Sequence, residues 1–234
     1  MDRTTRDYYD TAYAETNYEG AGGLATALYH RALERPYPPG THFRRVIEVG
    51  SGHGEHLKYV RHTFDEYLMT DLEAHASVEA RHDDAPGLVR FEVADAESLN
   101  QVDASFDRLV CTCLLHHLPQ ADAALKEWRR VVRVGGTLSL YLPCDPGMLY
   151  RAARWGTTHR YQRKLERAGR LDDHLYLWAR EHPNHVLGLR QLIRANFACD
   201  LIRRRIFPFP WLSWNFNFYE IYDIQICSCE LANV

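Results

Sequence analysis

The run Val46-Ile47-Glu48-Val49-Gly50-Ser51-Gly52-His53-Gly54 sets a β-branched segment directly ahead of a G-x-G-x-G loop. Glycines let the main chain turn sharply and let a ligand approach it closely, while a helix after the loop would offer free N–H groups. Asp71 closes the next apolar run, and a carboxylate there can accept hydrogen bonds from both hydroxyls of a ribose. Loop and acid together fit more than one nucleotide-like cofactor. A dinucleotide site wants G-x-G-x-x-G, and Glu55 stands where its third glycine would pack the helix against the strand.

A second chemical feature is the pair His116-His117 inside Leu114-Leu115-His116-His117-Leu118. Imidazole changes charge near neutrality, so either ring could take a proton from an alcohol or amine; equally, both could pack or hydrogen-bond structurally. The six cysteines form no C-x-x-C pair. The pairs Cys111/Cys113 and Cys227/Cys229 lie in segments that read as strands, where residues two apart share a face, so they read as reduced core residues. The thirteen histidines are scattered, and no metal is expected.

The elements that would position these groups alternate. Strands are expected at Arg45–Val49, Tyr67–Thr70, Leu88–Val93, Phe106–Cys111 and Thr137–Leu142, with helices at Glu55–Phe64, Ala74–Arg81 and Ala121–Val132, the last ended by Gly135-Gly136. Such alternation implies a parallel sheet covered on both faces. A helical, arginine-rich stretch then runs to about His185. It is followed by a helix near Leu189–Phe197 and strands at Leu201–Phe207 and Tyr219–Glu230, which can pair as an antiparallel hairpin at the sheet edge. Residues 1–40, with many tyrosines and glycines and closing on PYPPG, read as a capping arm.

Composition narrows the function classes. The chain of 234 residues, 46% hydrophobic, can bury one sizeable core. Its net charge of −3 excludes a strongly basic nucleic-acid binder by bulk charge, although residues 151–205 carry 13 Lys+Arg against 5 Asp+Glu. No apolar run of membrane-spanning length occurs, and the first residues, MDRTTRDYYD, do not read as a signal peptide, so a cytoplasmic location is expected.

Over roughly residues 43–142, with the last strand pair also matching, the chain resembles class I S-adenosylmethionine-dependent methyltransferases. Glu48 with Gly50, Ser51, Gly52 and Gly54 looks like the family's first motif, and Asp71, followed by Leu72, like its ribose-binding acid. Val93-Ala94-Asp95-Ala96-Glu97-Ser98-Leu99 looks like the segment whose acid binds the adenine amino group. Phe106-Asp107-Arg108-Leu109-Val110 with the His116-His117 loop resembles the fourth strand and the loop beside the methyl group. Arg129-Arg130-Val131-Val132-Arg133-Val134-Gly135-Gly136 resembles the helix-terminating motif, with Val134 in place of the commoner proline.

The resemblance implies an α/β fold, a Rossmann-like doubly wound seven-stranded, mostly parallel sheet with an antiparallel last strand. It also implies S-adenosylmethionine as cofactor and a small-molecule acceptor. One methyltransferase domain over 1–234 is expected: an N-terminal cap (1–42) bringing Tyr13 and Tyr18 to the cofactor, a cofactor-binding core (43–142), a helical acceptor-side insertion (143–187) and the C-terminal part of the sheet (188–234). Tyr29, Arg151, Arg154, Arg160, His182, His185 and Trp211 are the candidates for acceptor contact. The arginines suggest an anionic acceptor, such as a phosphorylated or nucleotide-linked sugar or a natural-product intermediate, because guanidinium pairs with phosphate and carboxylate. The 25 arginines to 3 lysines also fit a compositional bias. The aromatic stretch Phe207–Phe216 could wall a pocket or form a homodimer interface. Nucleic-acid methylation, an NAD-dependent oxidoreductase and a non-catalytic cofactor-binding protein are the competing readings.

Overall fold

The computed structural model describes residues 20–74 and 85–228. Seven strands form one sheet: β1 (His42–Val49), β2 (Thr63–Asp71), β3 (Leu88–Val93), β4 (Phe106–Cys111), β5 (Val132–Pro143), β6 (Leu201–Phe207) and β7 (Tyr219–Gln225). Their order is β3-β2-β1-β4-β5-β7-β6, and β7 alone runs antiparallel to its neighbours. This is the doubly wound α/β sheet that the alternating pattern implies. Three arginines on the edge strand β6 discourage pairing with another chain, Arg205 also closing on Asp223 at 2.7 Å.

Each face is covered differently. Ile47, Val49, Leu109, Leu138 and Leu140 pack against α2 (Ala121–Val131) and α5 (Val186–Asn196), whose Trp128, Leu189 and Ile193 are buried. The Trp128 indole donates to the Ala96 carbonyl at 2.9 Å, tying that helix to the segment after β3.

The opposite face is closed by α1 (Gly20–Glu34), stopped where Arg35-Pro36 cannot continue a helix. Its last residue, Glu34, reaches under the sheet to Arg108 on β4 at 2.7 Å and to His56 at 2.9 Å, all three buried. The pairing outweighs the burial that would push the Glu34 carboxyl up, holding it well below its usual range. An ionic knot therefore sits where an apolar layer would otherwise seal the sheet. Two further helices, α3 (Met148–Arg167) and α4 (Leu171–Glu181), form the expected helical stretch after β5. Among the described residues, no helix is long and apolar enough to cross a membrane.

Three expectations are corrected. No helix spans Glu55–Phe64: the chain makes turns and a single 3-10 turn at Leu57–Tyr59, and β2 already begins at Thr63. His56 is drawn inward by Glu34, so α1 occupies the surface that such a helix would cover. Gly135-Gly136 do not end the helix before them, which stops at Val131 as β5 begins at Val132. They lie within β5 where its register with β4 shifts; Gly135 has φ +80°, and a Cβ on Gly136 would lie 2.8 Å from the Asp107 carbonyl oxygen. Neither Cys113 nor Cys227 is a strand residue: β4 ends at Cys111 and Cys113 follows with φ +58°, while β7 ends at Gln225 rather than Glu230 and leaves Cys227 half-buried beyond it. The helix expected at Ala74–Arg81 falls, after its first residue, outside the described residues, as do Tyr13, Tyr18 and Cys229.

Candidate functional site

β1 and β4 are neighbours, yet β2 and β3 extend the sheet on one side and β5 on the other. That reversal opens a crevice beyond the strands' carboxyl ends, where open α/β sheets bind ligands. The glycine loop leaves β1 at one lip, and the Leu114–His117 segment leaves β4 at the other.

The loop is held from below. Gly50 N–H and Ser51 N–H both donate to the Thr70 carbonyl, at 2.8 and 3.0 Å, and Gly52 N–H donates to Asp71 Oδ2 at 2.8 Å. Asp71 thus stands at the end of β2, against the loop it is paired with in sequence. Gly50 has φ +71°, and a Cβ there would lie 2.6 Å from Leu114 Cδ2. Glycine is required for both reasons. Among the described residues, a Cβ on Gly52 would meet nothing within 4 Å, and the buried Ser51 hydroxyl has no hydrogen-bond partner. Open space beside an unsatisfied hydroxyl, with Asp71 alongside, fits a ribose-bearing cofactor.

Glu48 is fully buried beneath the loop and accepts a hydrogen bond from Tyr67 Oη at 2.8 Å; burial pushes its carboxyl up. Leu72 is exposed beside Asp71. Asp95 is exposed and its Oδ1 accepts from Glu97 N–H at 2.9 Å, so it also shapes its own turn; Ala96 is buried next to it.

On the other lip, Leu115–His117 forms one 3-10 turn. The His116 and His117 rings lie 3.9 Å apart, and His182, from just beyond α4, is 4.4 Å from His117. His117 Nδ1 lies 2.6 Å from the Glu181 carbonyl and His182 Nδ1 lies 2.8 Å from the Trp178 carbonyl. A carbonyl only accepts, so both Nδ1 atoms carry the proton and both lone pairs are on Nε2. Buried His116 Nδ1 has no partner among the described residues. Burial lowers all three pKa values: His116 falls well below the usual imidazole range, helped by His117 and His182, His117 is lowered, and His182 falls to about 3, helped by His117. All three rings are therefore neutral at pH 7.

The acceptor candidates divide. Arg154 lies with its guanidinium carbon 3.4 Å from the centre of the Trp178 ring, and that ring stacks at 3.5 Å on His182, which itself adjoins the histidine pair. Tyr29 packs on Tyr141 at 4.1 Å, in the cluster that Cys113 touches. Arg151 is exposed on the first turn of α3. His185 caps α5, its Nδ1 accepting from Gly188 N–H at 3.2 Å, which gives it a structural task. Trp211 is 76% exposed and touches Phe209. Arg160 lies in α3, its side chain outside the described residues.

Sequence reasoning missed Trp178, Cys113 and Tyr141, which read as ordinary core positions until α4 folds back onto the histidine loop. It also missed that Cys113, His116 and His117 bring their ligand atoms within 4.8 Å of one another. The signal was the local spacing C-x-x-H-H, hidden by reading Cys113 as part of a strand. A cavity of about 630 Å³ lies at the other, amino-terminal end of the strands; its charged walls are mutually paired, Arg45 with Glu66 at 2.7 Å and Arg133 with Asp107 at 2.6 Å.

Fold and crevice together define an α/β protein whose sheet opens at its switch point, where folds of this kind take a ligand. Residues 47–140 match a family described as a methyltransferase domain. Over those residues the chain is similar to class I methyltransferases, the type that uses S-adenosylmethionine. It is 29% identical over 180 residues to an Encephalitozoon cuniculi protein named as a methyltransferase without an acceptor, covering 72% of this chain and 76% of that one. It is 33% identical over 132 residues to a fatty-acid O-methyltransferase of Mycolicibacterium smegmatis, covering 55% of this chain and 45% of the relative. Among solved structures, the CurJ carbon methyltransferase superposes with a TM-score of 0.65 at 14% identity, over 93% of this chain and 58% of that one. The chain thus spans less than two thirds of two of these three proteins.

Proposed function

We propose that the protein transfers a methyl group from S-adenosylmethionine to a polar, anionic small molecule in the cytoplasm. The observation that carries this reading is that two lips of one crevice hold complementary chemistry. The glycine loop with Asp71 stands on one side, and three neutral imidazoles with Arg154 stand on the other.

When bound, S-adenosylmethionine supplies an electrophilic methyl carbon. The chain's own task is to align a nucleophile and exclude water. Asp71 accepts from the ribose hydroxyls, Asp95 from the adenine amino group, and the Gly50–Gly54 backbone lets the cofactor approach closely. An acceptor hydroxyl or amine loses its proton to His116 or to Nε2 of His117, with Glu181 O fixing the His117 tautomer. Arg154 meets the acceptor's negative charge, and Trp178 holds the guanidinium in place.

Calorimetric titration with S-adenosylmethionine and with NAD, on the protein and on Asp71→Ala and Asp95→Ala, tests the reading. Binding of the methyl donor alone, weakened by both substitutions, supports it. Binding of NAD, or of neither, would sink it.

A further inference from the structure

Cys113, His116 and His117 form a donor set that proton transfer alone does not account for. Their ligand atoms converge within 4.8 Å, and no carboxylate is among them. Tetrahedral zinc bonds of about 2.3 Å to sulfur and 2.0–2.1 Å to nitrogen require the set to close by at most about 1.5 Å. The chain is already arranged for that closure. His117 donates its Nδ1 proton to the Glu181 carbonyl, the outer contact that orients a ligating imidazole and puts the lone pair on Nε2. His116 is buried, and its Nδ1 has no hydrogen-bond partner among the described residues. Cys113 adopts φ +58°, a backbone conformation that turns it out of the β4 register and leaves it half-buried beside the two rings.

We propose that Cys113, His116 and His117 bind one divalent ion of the zinc class. A thiolate and two imidazoles suit such an ion and not the oxygen-seeking magnesium or calcium. Three protein ligands leave a fourth position open, as in catalytic rather than structural zinc sites. On binding, the Cys113 thiol releases its proton to solvent, and the ion takes water at the open position or, in exchange, the acceptor's heteroatom. Coordination there would ease deprotonation of the acceptor, taking over the task that a free imidazole otherwise performs. Only the assignment of the open position to the acceptor rests on the proposed function; the metal site itself does not.

The test is titration of the freshly reduced full chain with Co2+, followed by absorption. The expected result is about one equivalent bound, with a thiolate-to-cobalt charge-transfer band that Cys113→Ser abolishes and His117→Gln shifts to more than about tenfold higher cobalt concentration. No band, or a band that survives in Cys113→Ser, overturns the site. Should Cys113→Ser not fold, Zn2+ protection of the unmodified chain decides: alkylation slowed at Cys113 but not at exposed Cys199, read by peptide mass spectrometry, supports the site, and equal rates overturn it. Calorimetry with S-adenosylmethionine on the same samples keeps the two readings separate. Cobalt binding without cofactor binding sinks methyl transfer and leaves the metal; cofactor binding without cobalt does the reverse.

Discussion

Gly50 and Leu114 meet across the crevice so closely that a Cβ on Gly50 would lie 2.6 Å from Leu114 Cδ2 and 2.9 Å from Leu114 Cβ. The glycine loop and the histidine loop are therefore fitted to one another at a single contact. Gly50→Ala must both adopt φ +71° and displace Leu114, an expected loss of about 1–3 kcal/mol. It should also weaken S-adenosylmethionine binding more than tenfold. Adding Leu114→Ala should recover only part of the stability, because the Leu114 Cβ remains in the way. Thermal unfolding and calorimetry of the single and double variants read both effects.

Glu34 and Arg108 form a buried pair at 2.7 Å under the sheet. Glu34→Gln removes the charge facing a buried guanidinium, and the expected cost is about 3–5 kcal/mol in urea unfolding. Glu34→Leu combined with Arg108→Met should cost less than Glu34→Gln, since two apolar groups leave no stranded charge. Equal losses in both would show that the pair's charge is not what matters.

Several buried histidines predict acid sensitivity. Burial lowers His30 to about 2 and His62 to about 4, in each case reinforced by neighbouring positive charge. Below pH 6.5 the unfolded chain binds protons that these rings refuse, so stability is fully present above pH 6.5 and falls with decreasing pH, by up to about 1.4 kcal/mol per unit for each histidine. The His62 contribution levels off near pH 4. Melting temperatures measured from pH 7.5 to 4.5 should decline through this window, and His62→Phe should flatten the slope.

Arg154 stacks on Trp178, which in turn stacks on His182 beside the histidine pair. Arg154→Ala is expected to raise KM for an anionic acceptor about tenfold or more while leaving the affinity for S-adenosylmethionine unchanged. Trp178→Leu should do the same, because it removes the platform under the guanidinium. Steady-state kinetics with calorimetry distinguish this from general damage, which would weaken both ligands.

The strands and the glycine loop were legible in the chain itself. Leu88–Val93, Phe106–Cys111 and Leu201–Phe207 have in the structure the bounds their residues suggest, because β-branched and aromatic residues favour a pleated strand both at the half-buried edges, β3 and β6, and in the buried centre, β4. Gly50 and Asp71 were equally visible, since a tight turn at positive φ and a strand-end carboxylate are local demands on residue type.

What the sequence could not decide depends on partners remote along the chain. Residues 55–64 have the composition of a helix, yet Glu34 captures His56 and α1 takes the surface, so tertiary contact overrides local preference. Gly135-Gly136 look like a helix stop, but the strand starting at Val132 uses them to pass the Asp107 carbonyl. Above all, the setting of His116 and His117 is made by residues more than sixty positions away: Glu181, Trp178 and His182 arrive when α4 folds back on the loop. Spacing along the chain can present two adjacent imidazoles. Only packing between separate elements can bury them, fix the His117 tautomer and bring a guanidinium near.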